Sequence, residues 1–115
     1  MLNVSVVILA AGKGTRMKNR TPKVLRLLRS KPIIYWTLKT VQSLKFKEVI
    51  VVIGNKARQV QKFINNAGFD VTFVKLEKFL GTAYSVRYAI KKVRNNCKTV
   101  LILFGDDRLY IAKKL

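Results

Sequence analysis

Leu9-Ala10-Ala11-Gly12-Lys13-Gly14-Thr15-Arg16-Met17, followed after four residues by Pro22-Lys23, is the stretch on which the fold turns. Directly before it, Val4-Ser5-Val6-Val7-Ile8-Leu9 is a near-continuous apolar run, the pattern of a strand buried on both faces of a parallel sheet. The loop therefore leaves the C-terminal end of a central strand, where open α/β sheets bind ligands. Gly12 and Gly14 let the backbone turn sharply and bring its N–H groups up to phosphate oxygens, while Lys13, Arg16 and Lys23 add positive charge around the same point. These features read as a site for a polyphosphate.

Two familiar glycine loops do not fit. The dinucleotide fingerprint needs a third glycine where Met17 stands, with a helix starting at once, which Pro22 opposes. The ATPase loop needs Gly-Lys-Ser/Thr where this chain has Met17-Lys18-Asn19. The stretch from Leu9 to Met17 with Pro22-Lys23 instead resembles the signature of the sugar-nucleotide pyrophosphorylases, a nucleotidyltransferase family. Within that family the chain is most similar to the uridyltransferase domain that makes UDP-N-acetylglucosamine, through Pro22-Lys23-Val24-Leu25 and Leu80-Gly81-Thr82-Ala83.

The totals bound what such a chain can do. Its 115 residues suit one domain, residues 1–115, with a modest core, and a hydrophobic share of 50% opposes disorder. One cysteine, Cys97, excludes an internal disulfide and a cysteine-cluster metal site, and suits a reducing, cytoplasmic setting. The absence of histidine removes the usual general base and zinc ligand, so chemistry must run on carboxylates, cations and bound metal. The apolar run from Val4 to Ala11 is too short to span a bilayer and lacks a basic region before it, which argues against a membrane or signal segment.

Charge is the outlying quantity: 24 Lys plus Arg stand against 5 Asp plus Glu, a net +19. Taken alone it would suggest a nucleic-acid partner. The basic residues are spread from Lys13 to Lys114 with no run longer than two, which argues against that reading. Lysine-biased composition and a missing acidic partner or second half are the two explanations that stay open.

Taken in order, Val24 to Leu28 reads as a short extended piece, and Ser30-Lys31-Pro32 as a helix start with proline in the first turn. That helix buries Ile34, Leu38, Val41 and Leu44 by its spacing, with Tyr35 and Trp36 as packing residues. A strand over Glu48 to Ile53 follows, then a helix over 56–66 with Val60, Phe63 and Ile64 inward, stopping at Gly68, and a strand over Val71 to Val74. A third helix opens at Leu80-Gly81-Thr82-Ala83 and runs to about Arg94, with Val86, Ala89, Ile90 and Val93 on its apolar face, and Thr99 to Phe104 is the fourth strand. The alternation predicts a three-layer, doubly wound α/β fold with a mostly parallel sheet of about four strands and three helices. In the resemblance this is the first half of a Rossmann-like nucleotidyltransferase fold.

Two further positions carry chemistry. Gly81 and Thr82 read either as a second ligand loop or as an ordinary helix cap with Thr82 as the cap residue. Asp106 and Asp107, at the end of the fourth strand and on the same sheet edge as the glycine loop, read either as a solvated turn or as a place to hold Mg²⁺ against a triphosphate.

The resemblance implies specific roles. The backbone of Leu9, Ala10, Ala11, Gly12, Gly14 and Thr15 would hold a nucleoside triphosphate, and Gly81 and Thr82 its base. Arg16 would stabilise departing pyrophosphate, Lys23 would neutralise the α-phosphate, and Asp106, in Phe104-Gly105-Asp106, would bind Mg²⁺. The chain departs from the family at Phe79, where a glutamine reads the uracil edge; phenylalanine can stack on a base but has no group to read it. Asp107 and Arg108 also replace residues that are usually apolar or proline. The implied reaction joins a sugar 1-phosphate to a nucleoside monophosphate. The sugar pocket and a further metal ligand belong to the family domain's later half. The expectation is therefore a nucleotide-binding half completed by a second polypeptide or by self-association, whose fourth strand exposes an edge.

Overall fold

A computed structural model describes residues 2–11, 23–54, 57–78, 80–94 and 99–105. The first strand, β1, spans Leu2–Leu9. A 3₁₀ turn at Lys23–Leu25 leads into a small hairpin, β2 (Leu27–Leu28) and β3 (Lys31–Pro32). Then come α1 (Ile33–Ser43), β4 (Phe46–Gly54), α2 (Arg58–Ala67), β5 (Thr72–Leu76), α3 (Thr82–Ile90) and β6 (Thr99–Phe104).

Four strands form one parallel sheet in the order β5-β4-β1-β6. β1 is central, with Leu9 opposite Val52 of β4 on one side and Phe104 of β6 on the other. Its side chains alternate between two cores. Val6, Ile8 and Ala10 join Ile34, Leu38 and Val41 of α1 and Val60 and Ile64 of α2, while Val7 and Leu9 join Val74, Leu76 and Ala89 on the α3 side. Both faces of β1 are dry, since Val6, Val7 and Ile8 are all fully buried, and each such side chain contributes roughly 1.5–3 kcal/mol by leaving water. The architecture is the expected three-layer α/β fold, with α1 and α2 on one face of the sheet and α3 on the other.

That change of face matters for function. The chain builds outward from β1 through β4 to β5, then crosses behind the sheet with α3 and returns to β1's other side as β6. Strand order reverses between β1 and β6, and a crevice opens at such a switch point beyond the strands' C-terminal ends.

Several local expectations are corrected. Ser30-Lys31-Pro32 does not start a helix: Lys31 pairs with Leu28, Pro32 pairs with Leu27, and α1 begins at Ile33 with Pro32 as its cap residue (φ −57°, ψ 146°). A residue before proline is pushed to extended backbone, which suits Lys31 to a strand and places the proline one step before the helix. The stretch from Val24 to Leu28 is extended only at Leu27–Leu28, because Val24 turns inward and buries itself in the α1 core. Trp36 remains 38% exposed, donating from Nε1 to the Leu28 carbonyl (2.7 Å) and meeting Tyr35 edge-on, so it stitches the hairpin to α1. Helix α3 ends at Ile90, and Ile90 is 45% exposed. Fully buried Ala89 sets the helix face, and its neighbour is turned about 100° away from it.

Candidate functional site

The site is assembled from backbone. Leu9 is the last residue of β1, and the two residues after it are held by both neighbouring strands. The Ala10 amide donates to the Val52 carbonyl (2.8 Å), and the Leu9 carbonyl accepts from the Gly105 amide (2.9 Å). Ala11 is half-buried against the α3 core. The entry to the glycine loop is therefore a rigid extension of the central strand at the switch point. Gly12, Gly14, Thr15 and Arg16 lie outside the described residues. The chain re-enters at Lys23, whose backbone opens the 3₁₀ turn and whose side chain is outside the described part. Val24, next in sequence, is 5% exposed and anchors that exit.

Sequence reasoning quoted Gly105 only as part of a motif and gave Val24 no role, yet the two meet. A methyl group placed on Gly105 would lie 2.9 Å from Ile34 Cδ1 and 3.3 Å from both Val24 Cγ1 and the Leu9 carbonyl oxygen. Entry and exit of the loop thus converge on the residue that precedes Asp106. Asp106 itself, with Asp107, lies outside the described residues. The available signal was a glycine between a strand end and an aspartate, which spacing alone does not distinguish from a turn.

The second element of the site is the start of α3. Gly81 is the cap residue at φ 104° and ψ 164°, a region open essentially to glycine alone. Thr82 is the first helical residue rather than the cap, and no side chain caps the first turn. Ser85 holds the turn from inside: its amide (3.1 Å) and its Oγ (3.0 Å) both donate to the Gly81 carbonyl, and the residue is 1% exposed. The first-turn amides of α3 thus keep donors free of side-chain acceptors, at the positive end of the helix dipole. Gly54 of β4 is opposite Leu76 of β5, so α3, which follows β5, begins at the same sheet edge as the glycine loop. Phe79 lies outside the described residues.

The described carboxylates take no part. Glu48, at the opposite edge, accepts from Ser5 Oγ (3.2 Å) and the Arg94 amide (3.3 Å). Asp70 and Glu77 are exposed. Among the described residues no group of three or more His, Cys, Asp or Glu could hold a metal, and no helix is long and apolar enough to cross a membrane.

Residues 6–109 match the model of the MobA-like NTP transferase domain. This chain belongs to that family. As a MobA-like NTP transferase domain it is 38% identical over 117 aligned residues to the bifunctional protein GlmU of Albidiferax ferrireducens, covering 97% of this chain and 25% of that protein. To GlmU of Paracidovorax citrulli it is 41% identical over 108, covering 92% and 23%. The chain therefore spans about a quarter of the length of these relatives. Its fold also matches the crystal structure of Rv0371C from Mycobacterium tuberculosis in complex with manganese, with a TM-score of 0.72 at 24% identity, covering 96% of this chain and 54% of that one. The MobA-like NTP transferase domain accounts for the doubly wound sheet and for the position of the glycine loop upon it.

Proposed function

We propose that the chain is the NTP-binding part of a nucleotidyltransferase domain that transfers a nucleoside monophosphate from an NTP to a sugar 1-phosphate with release of pyrophosphate. UTP and N-acetylglucosamine 1-phosphate are the favoured pair, on the similarity to GlmU. The observation that carries the proposal is the convergence at the switch point, where the loop entry at Leu9–Ala11, the loop exit at Val24 and Gly105 share contacts.

In this reading a phosphate oxygen of the sugar 1-phosphate attacks the α-phosphate, and the bond to the β-phosphate oxygen breaks. Such chemistry needs positioning and charge neutralisation rather than a proton carrier, which suits a chain without histidine. Loop amides from Leu9 to Thr15 would hold the triphosphate, Arg16 would take the charge of the departing pyrophosphate, and Lys23 that of the α-phosphate. Gly81 and Thr82 would face the base across the open first turn of α3. A carboxylate at Asp106, one residue beyond the Gly105–Leu9 hydrogen bond, suits Mg²⁺, which takes one or two carboxylates and completes its shell with phosphate oxygens and water. When bound, the metal supplies charge neutralisation on the triphosphate. The manganese complex of the mycobacterial neighbour supports a divalent cation here. A cytoplasmic setting belongs to the same proposal, in keeping with the single cysteine.

The test is titration of the chain with UTP and Mg²⁺, with the other nucleoside triphosphates in parallel. Saturable, metal-dependent binding is expected. Asp106→Ala and Arg16→Ala should each weaken it on the order of tenfold or more at unchanged thermal midpoint, each removing a charged hydrogen bond or charge contact. A folded chain that binds no nucleotide rejects the proposal. The chain's quarter-length coverage of its relatives favours a second reading, a nucleotide-binding part that turns over only with a partner chain. Pyrophosphate release by the chain alone would eliminate that reading.

A further inference from the structure

Gly105 and Gly81 are glycines for opposite reasons. At Gly81 a side chain would meet nothing within 4 Å, but φ is 104°. Gly105 has no such backbone demand, being outside the positive-φ set; what excludes a side chain there is space. Its amide is bonded to the carbonyl at the loop's entry, and a Cβ would press on that same oxygen, on Val24 at the loop's exit, and on Ile34. Ile34 is fully buried in close-packed surroundings, so its Cδ1 has little room to withdraw.

We infer that Gly105 is a positioning residue: its missing side chain lets both ends of the glycine loop close onto the strand that leads to Asp106, so that metal ligand and phosphate cradle share one origin. This rests on the proposed function. A methyl group at 105 displaces Leu9 and Val24 relative to β6 by a few tenths of an ångström. A full ångström of misplacement costs about 100-fold, so the effect on metal-assisted nucleotide binding is on the order of tenfold.

The experiment titrates the chain with UTP in Mg²⁺ and again in EDTA, for wild type, Gly105→Ala, Ile34→Val and the double variant, with thermal midpoints measured alongside. Gly105→Ala should weaken Mg²⁺-dependent binding about tenfold while metal-free binding changes less than about twofold. Ile34→Val removes Cδ1, the atom nearest the added methyl. Alone it should bind as wild type, and in the double variant it should recover most of the loss. An equal loss with and without metal, or no recovery in the double variant, overturns the inference, because a merely structural defect would not distinguish the two conditions. If Gly105→Ala melts below the assay temperature, the double variant is held to the same metal-dependent criterion. Wild type that binds and Gly105→Ala that binds equally well overturns this inference alone. Wild type without metal-dependent binding overturns the proposed function and this inference with it.

Discussion

At Arg29 and Ser30 the β2–β3 hairpin turns through φ values of 53° and 71°, two consecutive left-handed residues that both carry a Cβ. A two-residue hairpin turn of this kind prefers Asn-Gly, and no such signal stands in Arg29-Ser30. The hairpin was therefore hidden from sequence reasoning, and Pro32 was taken for the inside of a helix. A left-handed L-residue costs roughly 1–2 kcal/mol, and glycine's greater freedom in the unfolded chain returns about 0.5–1 of that. Ser30→Gly is accordingly expected to stabilise by about 0.5 kcal/mol, read as a higher urea midpoint at constant slope. Gly81→Ala lies on the opposite side of the same argument. It forces a side chain into a region costing about 1–3 kcal/mol, and the first turn of α3 should shift or unwind. Nucleotide affinity and thermal midpoint should both fall, and an unchanged pair would show that alanine tolerates that backbone. Leu80-Gly81-Thr82 was conspicuous in the sequence as a motif, but which residue caps the helix depends on a dihedral angle that letters do not encode.

Among the elements, the strands were the most legible, because β1, β4 and β6 are near-continuous apolar runs that fit only a strand covered on both faces. Helix faces were less so. Spacing put both Ala89 and Ile90 toward the core; α3 buries Ala89 completely and turns Ile90 out, since a small residue is what allows the helix to lie close on Val7, Ile50 and Val52. Large side chains mark apolar faces in a sequence, and here the residue of closest approach is a small one. Ala89→Leu should destabilise by about 1–3 kcal/mol through overpacking, whereas Ile90→Gln should stay within about 0.5 kcal/mol. Denaturant unfolding of the two variants checks the face directly, and comparable losses would reject it.

Over the whole molecule, every lysine and arginine whose side chain is described is exposed, and the described carboxylates number three, Glu48, Asp70 and Glu77. Like charges on so small a body, 13.4 Å in radius of gyration, repel one another across distances comparable to the screening length of dilute buffer. The thermal midpoint should therefore rise between roughly 20 and 300 mM NaCl, over which the screening length falls from about 20 Å to below 8 Å. A flat or falling midpoint would mean that the charges are neutralised in solution by bound anions or by a partner. The glycine loop, its position on the sheet and the aspartate beyond β6 were all readable from spacing. The joining of loop entry, loop exit and Gly105 was not, because Leu9, Val24 and Gly105 are far apart along the chain and meet only through the sheet order.

That order also governs how the protein is born. β1 is among the first residues to leave the ribosome, yet Val4 pairs with Thr99 and Ser5 with Glu48, so the central strand must wait for both of its neighbours. At roughly 5–20 residues per second the second ladder cannot begin to close for about 5–20 seconds after β1 is made. During that interval the most apolar segment of the nascent chain is a solitary strand with an open side, the species that trigger-type holdases shield and that aggregates when synthesis outruns them.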